Sequence, residues 1–401
     1  MATIFAATTL AWAENISAVC CTPFHTCEDE KKLATITRSV AILSVILLNA
    51  SIQPLQLGLR SLNIDLCPRE QQSIASAWAS RFAGMGNIIG YVLGSLPLAW
   101  FSNNTETVRF RFMVHCTIVV LIATSLITCH STEEEIPQIP TYEPVSDHKV
   151  YQIFQDIVDG FARTSQRVRH VYLVQFFSWM GWFSFLFYST SFTSQIYLSE
   201  QGRDGIAINS LLKDHGMRIG AMANLLFAIV ALVTSIVLPL LSRASTAMES
   251  SANIFEEKLH HPSSQLHIIW GFGQLVYVTS VISMVITSST MVGVFMIAIA
   301  GFSWGVTQWV PYAIIGEEVT THQTNDSSVR RGDDGGWSVI QGGKIMGMHN
   351  SAISVPQIIA AVVSSAIFWI AQALGKENAM AWIIGWSGIP GSIAAWLAFI
   401  M

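Results

Sequence analysis

Charge is scarce in this chain. Only 12% of its 401 residues are Asp, Glu, Lys or Arg, where a water-soluble domain carries about a quarter. So few charges cannot cover a globule in water, but they suffice where lipid covers most of the surface. The net charge of −5 is small and diffuse, so nothing favours a nucleic-acid partner. The six cysteines, Cys20, Cys21, Cys27, Cys67, Cys116 and Cys129, form no CxxC pair and no regular spacing. They are expected as reduced thiols rather than a disulfide scaffold. HExxH is also missing, and the loop pair His260-His261 has no third ligand, so neither a metal nor a cofactor is expected.

Apolar residues are plentiful, at 51% of the chain with a mean hydropathy of +0.47. A helix needs about 20 mostly apolar residues to cross about 30 Å of hydrocarbon. Nine runs qualify, at 40–59, 73–101, 112–129, 171–193, 217–241, 266–288, 290–315, 351–373 and 379–401, and residues 2–20 make a tenth. Ala11-Trp12-Ala13 has the small-x-small form of a signal-peptidase site, but no Lys or Arg precedes the apolar core. The basic region of such a leader is therefore missing, and the segment is taken as a membrane helix. The expected fold class is an all-α, multi-pass integral membrane protein.

The polar stretch Ser131–His170 divides the chain into a helical block 1–130, a linker 131–170 and a second helical block 171–401. In the linker, Ile153, Phe154, Ile157, Val158 and Phe161 recur at helical spacing, which predicts a short amphipathic helix on the membrane surface. Arg163, Arg167 and Arg169 follow it, and basic clusters favour the cytoplasmic side. With that orientation Asn103-Asn104-Thr105, a glycosylation acceptor pattern, lies outside.

Ionisable groups at membrane depth are costly and point to function. Arg81 sits eight residues into the run 73–101 and stays protonated at any relevant pH. It needs an anion, water or a substrate hydroxyl, unless it reaches the cytoplasmic interface. Gly86, Gly90 and Gly94 recur every four residues on the same segment, a stripe that lets another helix approach closely. Arg60 and Asp65 close the preceding helix, and Asp214 and Arg218 form an i, i+4 pair at the entrance to 217–241. Glu317 and Glu318 end the 290–315 span and are expected at the interface. A carboxylate beside a fixed arginine is what proton coupling requires: protonation cancels the acid's charge, releases the arginine and changes which conformation is favoured. Asp65 and Asp214 are the available acids.

Three patterns mimic chemistry. Gly301-Phe302-Ser303-Trp304-Gly305 fits G-x-S-x-G, but it lies within a long apolar run with no strand before it. Arg331-Gly332-Asp333 falls in a Gly/Asp-rich loop. Gly343-Lys344 lacks the flanking Gly and Ser/Thr of a phosphate-binding loop. With no paired catalytic constellation, an enzyme is not expected.

Several segments carry a family resemblance. Arg60-Ser-Leu-Asn-Ile-Asp65 through Gln71-Gln72, then Trp78, Arg81, Gly84, Gly86, Asn87 and Gly90-Tyr91 form the first. Others are Gln175 to Thr190, with Trp179, Gly181-Trp182-Phe183 and Tyr188; Asp214-His-Gly216-Met-Arg218; Gly301 to Glu318, with Gln308-Trp309-Val310-Pro311; and Asn350 with Pro356-Gln357. From about residue 36 to about residue 390 the chain resembles the sucrose transporters of the glycoside-pentoside-hexuronide:cation symporter family, within the major facilitator superfamily. The wording is nearest to the fungal and animal branch, which includes proton-coupled sucrose and α-glucoside carriers.

The resemblance implies proton-coupled symport of sucrose or a related α-glucoside. Arg81 falls on an arginine that the family uses in proton-coupled sugar transport, Asp65 on the family's fourth-helix aspartate and Arg218 on its eighth-helix arginine; with Arg60 and Asp214 they are the candidates for substrate and proton coupling. Asn87, Trp179, Tyr188, Gln308, Trp309, Asn350 and Gln357 become candidates for lining the sugar path. The Trp residues are equally of the kind that anchors at lipid interfaces. Plant members have acidic residues where this chain has Ser189 and Ile219. The resemblance aligns 2–20 with the family's third helix, so about ten of the usual twelve helices are expected and the first two have no counterpart. That shortfall raises the alternative of a non-transporting sensor, scaffold or truncated carrier. The expected partners are sugar, protons and the lipid bilayer, with the plasma membrane as location and the vacuole or another internal membrane as the alternative.

Overall fold

The computed structural model describes residues 1–21, 30–68, 71–95, 105–132, 161–162, 164–203, 210–252, 266–329, 337–376 and 378–401. The expected surface helix at 153–158, the Asn103-Asn104 acceptor, His260-His261 and Arg331-Gly332-Asp333 lie outside these residues, as does the Asp214 side chain. Of the described residues 94% are helical. The helices are α1 (Ala2–Ala11), α2 (Ala13–Cys21), α3 (Glu30–Leu66), α4 (Gln72–Ser95), α5 (Thr105–Ser131), α6 (Gln166–Arg203), α7 (Ser210–Ala252), α8 (Leu266–Ile286), α9 (Thr290–Val329), α10 (Trp337–Ala373) and α11 (Ala379–Phe399).

Among the described residues eight helices are long and apolar enough to cross a membrane: α3 and α5 to α11. A helix closes all its backbone hydrogen bonds within the segment, which hydrocarbon demands. Large apolar side chains accordingly point outward, among them Ile286, Phe295, Trp369 and Trp396. The protein is a multi-pass integral membrane protein. Two expected spans differ in form. Residues 2–20 are not one helix: the chain breaks at Trp12, between α1 and α2. The carbonyl of Ala11 is taken by Arg111 Nε of α5 at 3.1 Å, and the same guanidinium sits 4.3 Å from the Trp12 ring centroid. A partner for the freed carbonyl makes the break tolerable at that position. α4 is 24 residues long, but Ser76, Ser80, Arg81 and Asn87 dilute its apolar character below the other spans.

The chain divides into two compact units, residues 1–60 with 92–139 and residues 61–91 with 140–401. In the first, α1 packs on α5, while Ile42, Leu43 and Ile46 of α3 and Val119, Val120, Leu126 and Ile127 of α5 remain exposed. In the second, α6 is the central post, packed by α7, α9, α10 and α11. Lipid is as apolar as leucine, so close backbone approach rather than hydrophobicity holds such helices together. A Cβ on Gly181 of α6 would lie 2.8 Å from the Ser387 carbonyl of α11, and one on Gly305 of α9 would lie 2.7 Å from the Ala231 carbonyl of α7. Gly301 meets the Phe227 carbonyl in the same way. The glycines of the apparent nucleophile motif are thus the seat of α7 on α9.

Candidate functional site

α4 is amphipathic in the sense opposite to a soluble helix. Gln72, Ser76, Ser80 and Gly84, spaced four apart, are buried, while Trp78, Phe82, Met85 and Ile89 are exposed. Its polar and small face is turned into protein and its apolar face outward. A Cβ on Gly84 would lie 3.3 Å from Leu232 Cδ1 of α7, whereas at Gly86 and Gly90 nothing among the described residues lies within 4 Å. The close approach expected at Gly86 and Gly90 is made instead at Gly84, because the register of the buried stripe is 72-76-80-84. Arg81 borders this stripe and is half-buried. Its Nε donates to the Ser235 carbonyl of α7 at 3.2 Å, and its guanidinium carbon lies 4.7 Å from the Trp78 ring centroid. Among the described residues Arg81 forms no ion pair, and its two terminal nitrogens hold no hydrogen bond.

The start of α4 is seated on α9. Gln72 Nε2 donates to the carbonyls of Ile64 and Cys67 at 2.9 and 2.5 Å, which folds the α3–α4 corner around the amide. Its Oε1 lies over Gly316, where a Cβ would come within 2.6 Å. Trp309, 1% exposed, donates its indole N–H to the Ser73 carbonyl at 3.1 Å. Just beyond Gly316, Glu318 reaches Arg167 of α6 at 3.9 Å. Glu317 and Glu318 do follow the 290–315 apolar run, but α9 continues through them to Val329.

Within the bundle an aromatic column fills the space around α6. Trp182 is fully buried, with ring centroids 4.4 Å from Tyr277, 5.0 Å from Trp304 and 5.5 Å from Phe185. Trp179, 8% exposed, packs on Trp304 and Phe183, and Tyr188 lies against the same column. Three polar threads cross it. Gln274 of α8 donates to Ser178 Oγ at 2.9 Å and Thr307 Oγ1 at 3.2 Å. Asn224 of α7 accepts from Ser189 Oγ at 3.0 Å and donates to Thr190 Oγ1 at 2.7 Å. Gln175 of α6 faces His349 of α10, nitrogen to nitrogen, at 3.1 Å. No motif or spacing in the sequence sets Gln274, Asn224 or His349 apart. The only signal for them was a polar residue inside an apolar run, without a partner visible nearby in the sequence.

The remaining expected site residues are spread out. Arg60 is half-buried and Asp65 exposed near the end of α3; Arg218 is exposed on α7; Asn87 is exposed on α4. Gln308 of α9 and Asn350 and Gln357 of α10 are half-buried. Arg81, Trp309 and the α4 stripe are brought together along one side of α7 and α9, while Trp179 and Tyr188 belong to the aromatic column. Among the described residues no three His, Cys, Asp or Glu side chains are grouped to hold a metal ion.

Residues 18–328 match the Major Facilitator Superfamily. The chain belongs to that superfamily. Members of the superfamily are transporters, not enzymes. This facilitator is 25% identical over 429 residues to the general alpha-glucoside permease of Schizosaccharomyces pombe, a match covering 92% of the chain and 74% of the permease. It is 23% identical over 370 residues to a sucrose transport protein of Arabidopsis thaliana, covering 84% of the chain but 64% of that carrier. The chain therefore spans under two thirds of the length of the plant carrier. Among solved structures, the human organic anion transporter MFSD10 superposes with a TM-score of 0.55 at 14% identity, over 99% of this chain and 76% of that one. At that identity the likeness speaks for the fold alone, which is the facilitator fold the sequence resemblance implied.

Proposed function

We propose that this facilitator carries sucrose or a related α-glucoside together with a proton, by alternating access, across the plasma membrane. The observation that carries the proposal is the inverted face of α4. A membrane helix that buries Gln72, Ser76 and Ser80, half-buries Arg81 and exposes Trp78 and Phe82 is suited to lining a polar path. The names of its relatives, an α-glucoside permease and a sucrose transport protein, give the class of cargo. Facilitators hold substrate near mid-membrane between helical repeats.

Arg81 is the fixed cation of this path. Its Nε is committed to the Ser235 carbonyl, which leaves the terminal nitrogens for sugar hydroxyls or a carboxylate. Asp65 and Asp214 are the proton acceptors, working with Arg60 and Arg218. Asn87, Trp179, Tyr188, Gln308, Trp309, Asn350 and Gln357 line the sugar path at different stages of the cycle. The full chain, expressed in yeast without glucoside uptake, is tested with labelled sucrose and maltose at pH 5 and pH 7.5, with and without a protonophore. Uptake that rises at the lower pH and collapses with the protonophore supports the proposal. A chain that reaches the membrane and takes up neither sugar returns it to the class of non-transporting sensors or scaffolds.

A further inference from the structure

His349 is fully buried, in the interior of α10. Its Nε2 lies 3.1 Å from Nε2 of Gln175, and the rings of Tyr172 and Tyr312 pack on it with centroids 6.2 and 4.9 Å away. An amide nitrogen only donates, so the imidazole Nε2 accepts, and it carries a lone pair rather than a proton. The other end of that amide, Gln175 Oε1, is buried and has no hydrogen-bond partner among the described residues. An orphaned acceptor is an unfavourable resting place for a carboxamide. Half a turn about its terminal bond exchanges the two atoms, and Oε1 then faces a ring that bears a proton on Nε2. The pair has two bonded arrangements, one with Nε2 bare and one with Nε2 protonated; the second accommodates the imidazolium as well as the other neutral tautomer, and the amide can follow the proton without moving a helix.

The position of Tyr312 links this pair to the seat of α4. Trp309, Tyr312 and Gly316 are spaced i, i+3 and i+7 on α9 and so share one face. The first and last hold Ser73 and Gln72, and the middle one stands edge-on to His349 at 78°. We propose that His349 is a proton site of the transport cycle, whose charge acts through Tyr312 on whether the start of α4 stays seated on α9. The proton binds and leaves at Nε2, and no other reactant is required. The inference rests on the proposed function and adds a proton site beyond Asp65 and Asp214. Among the described residues, the titratable rings packed on His349 are Tyr172 from α6 and Tyr312 from α9. Further towards the same helix ends stand Arg167, Arg169, His170, Glu317 and Glu318, with the exposed Lys344 on α10 itself. α11, also packed on α10, has no titratable residue.

Three forms of the full chain test this: wild type, His349→Gln and Gln175→Glu. A difference of one pH unit supports about tenfold accumulation by one-proton symport, since one unit is a factor of ten in proton activity. His349→Gln is expected to lose most of that accumulation while sugar counterflow at equal pH stays within about twofold, because exchange needs no net proton movement. Gln175→Glu places a carboxylate beside the ring, which favours the protonated form, so its pH profile moves to the alkaline side. If His349→Gln accumulates sugar as wild type does with an unchanged pH profile, the inference falls and the proposed function stands. If wild type carries no glucoside, the proposed function falls, and the proton site is judged on purified protein. There the thermal midpoint of wild type is expected to vary between pH 5 and pH 8 more than that of His349→Gln, and parallel curves overturn it.

Discussion

The indole N–H of Trp309 donates to the carbonyl of Ser73 at 3.1 Å, which ties the middle of α9 to the first turn of α4 across 236 residues of chain. Trp309→Phe removes the donor and keeps most of the ring. The expected cost is about 1 kcal/mol, or about fivefold in the population with α4 seated. In the orientation expected from the loop charges the seat lies towards the cytoplasmic side, and on the proposed function it is made when that side is closed. The variant is then expected to raise the apparent KM for external sugar by up to about fivefold, since fewer molecules present the outward-open site. Initial-rate uptake at several sugar concentrations checks this.

Arg81 holds the Ser235 carbonyl through Nε and stacks on Trp78. An ammonium lacks both the planar face and the Nε donor. Arg81→Lys is therefore expected to fail nearly as badly as Arg81→Ala, with at least about tenfold less proton-driven uptake in each, the equivalent of about 1.4 kcal/mol. Uptake normalised to surface expression measures it. Full uptake by Arg81→Ala removes the arginine from the mechanism.

The glycines separate into two classes that a stability measurement can distinguish. Gly305→Ala places a methyl group 2.7 Å from the Ala231 carbonyl, so α7 and α9 must move apart at a cost of about 1–3 kcal/mol. Gly86→Ala meets nothing within 4 Å among the described residues and is expected to change stability by no more than about 1 kcal/mol, in the favourable direction. Thermal unfolding midpoints in one detergent compare the two directly.

Asn224 uses its whole amide: the oxygen accepts from Ser189, and the nitrogen serves Thr190 Oγ1 and the Gly220 carbonyl. Asn224→Leu strands Ser189 between α6 and α7. Polar contacts between membrane helices are worth about 0.6–2 kcal/mol, so a loss of about 1–2 kcal/mol in unfolding free energy is expected. Asn224→Leu combined with Ser189→Ala should recover part of it, since the stranded hydroxyl is then removed as well.

The order of the spans was legible because hydrocarbon thickness sets a length that composition alone reveals. Arg81 stood out for the same reason, as a charge in a stretch where every other group avoids one. The helix break at Trp12 was not legible, since the Arg111 that satisfies Ala11 is 100 residues away. Nor was the true register of α4. Gly86 and Gly90 read as a packing face, while the buried stripe among the described residues is Gln72-Ser76-Ser80-Gly84, and polar residues on a buried face invert the rule used for soluble helices. His349 and Gln175 are 174 residues apart, and neither residue suggests the other until α6 and α10 stand side by side.

Tyr277 donates to Ser387 Oγ at 2.9 Å, and its ring fills the hollow left by Gly181 and Gly391. One phenol thereby locks α8, α11 and α6 together. Labels placed at Phe272 on α8 and Trp396 on α11, both exposed, should keep a constant separation through every step of the cycle. That pair forms a built-in ruler against which the displacement of any other helix can be calibrated.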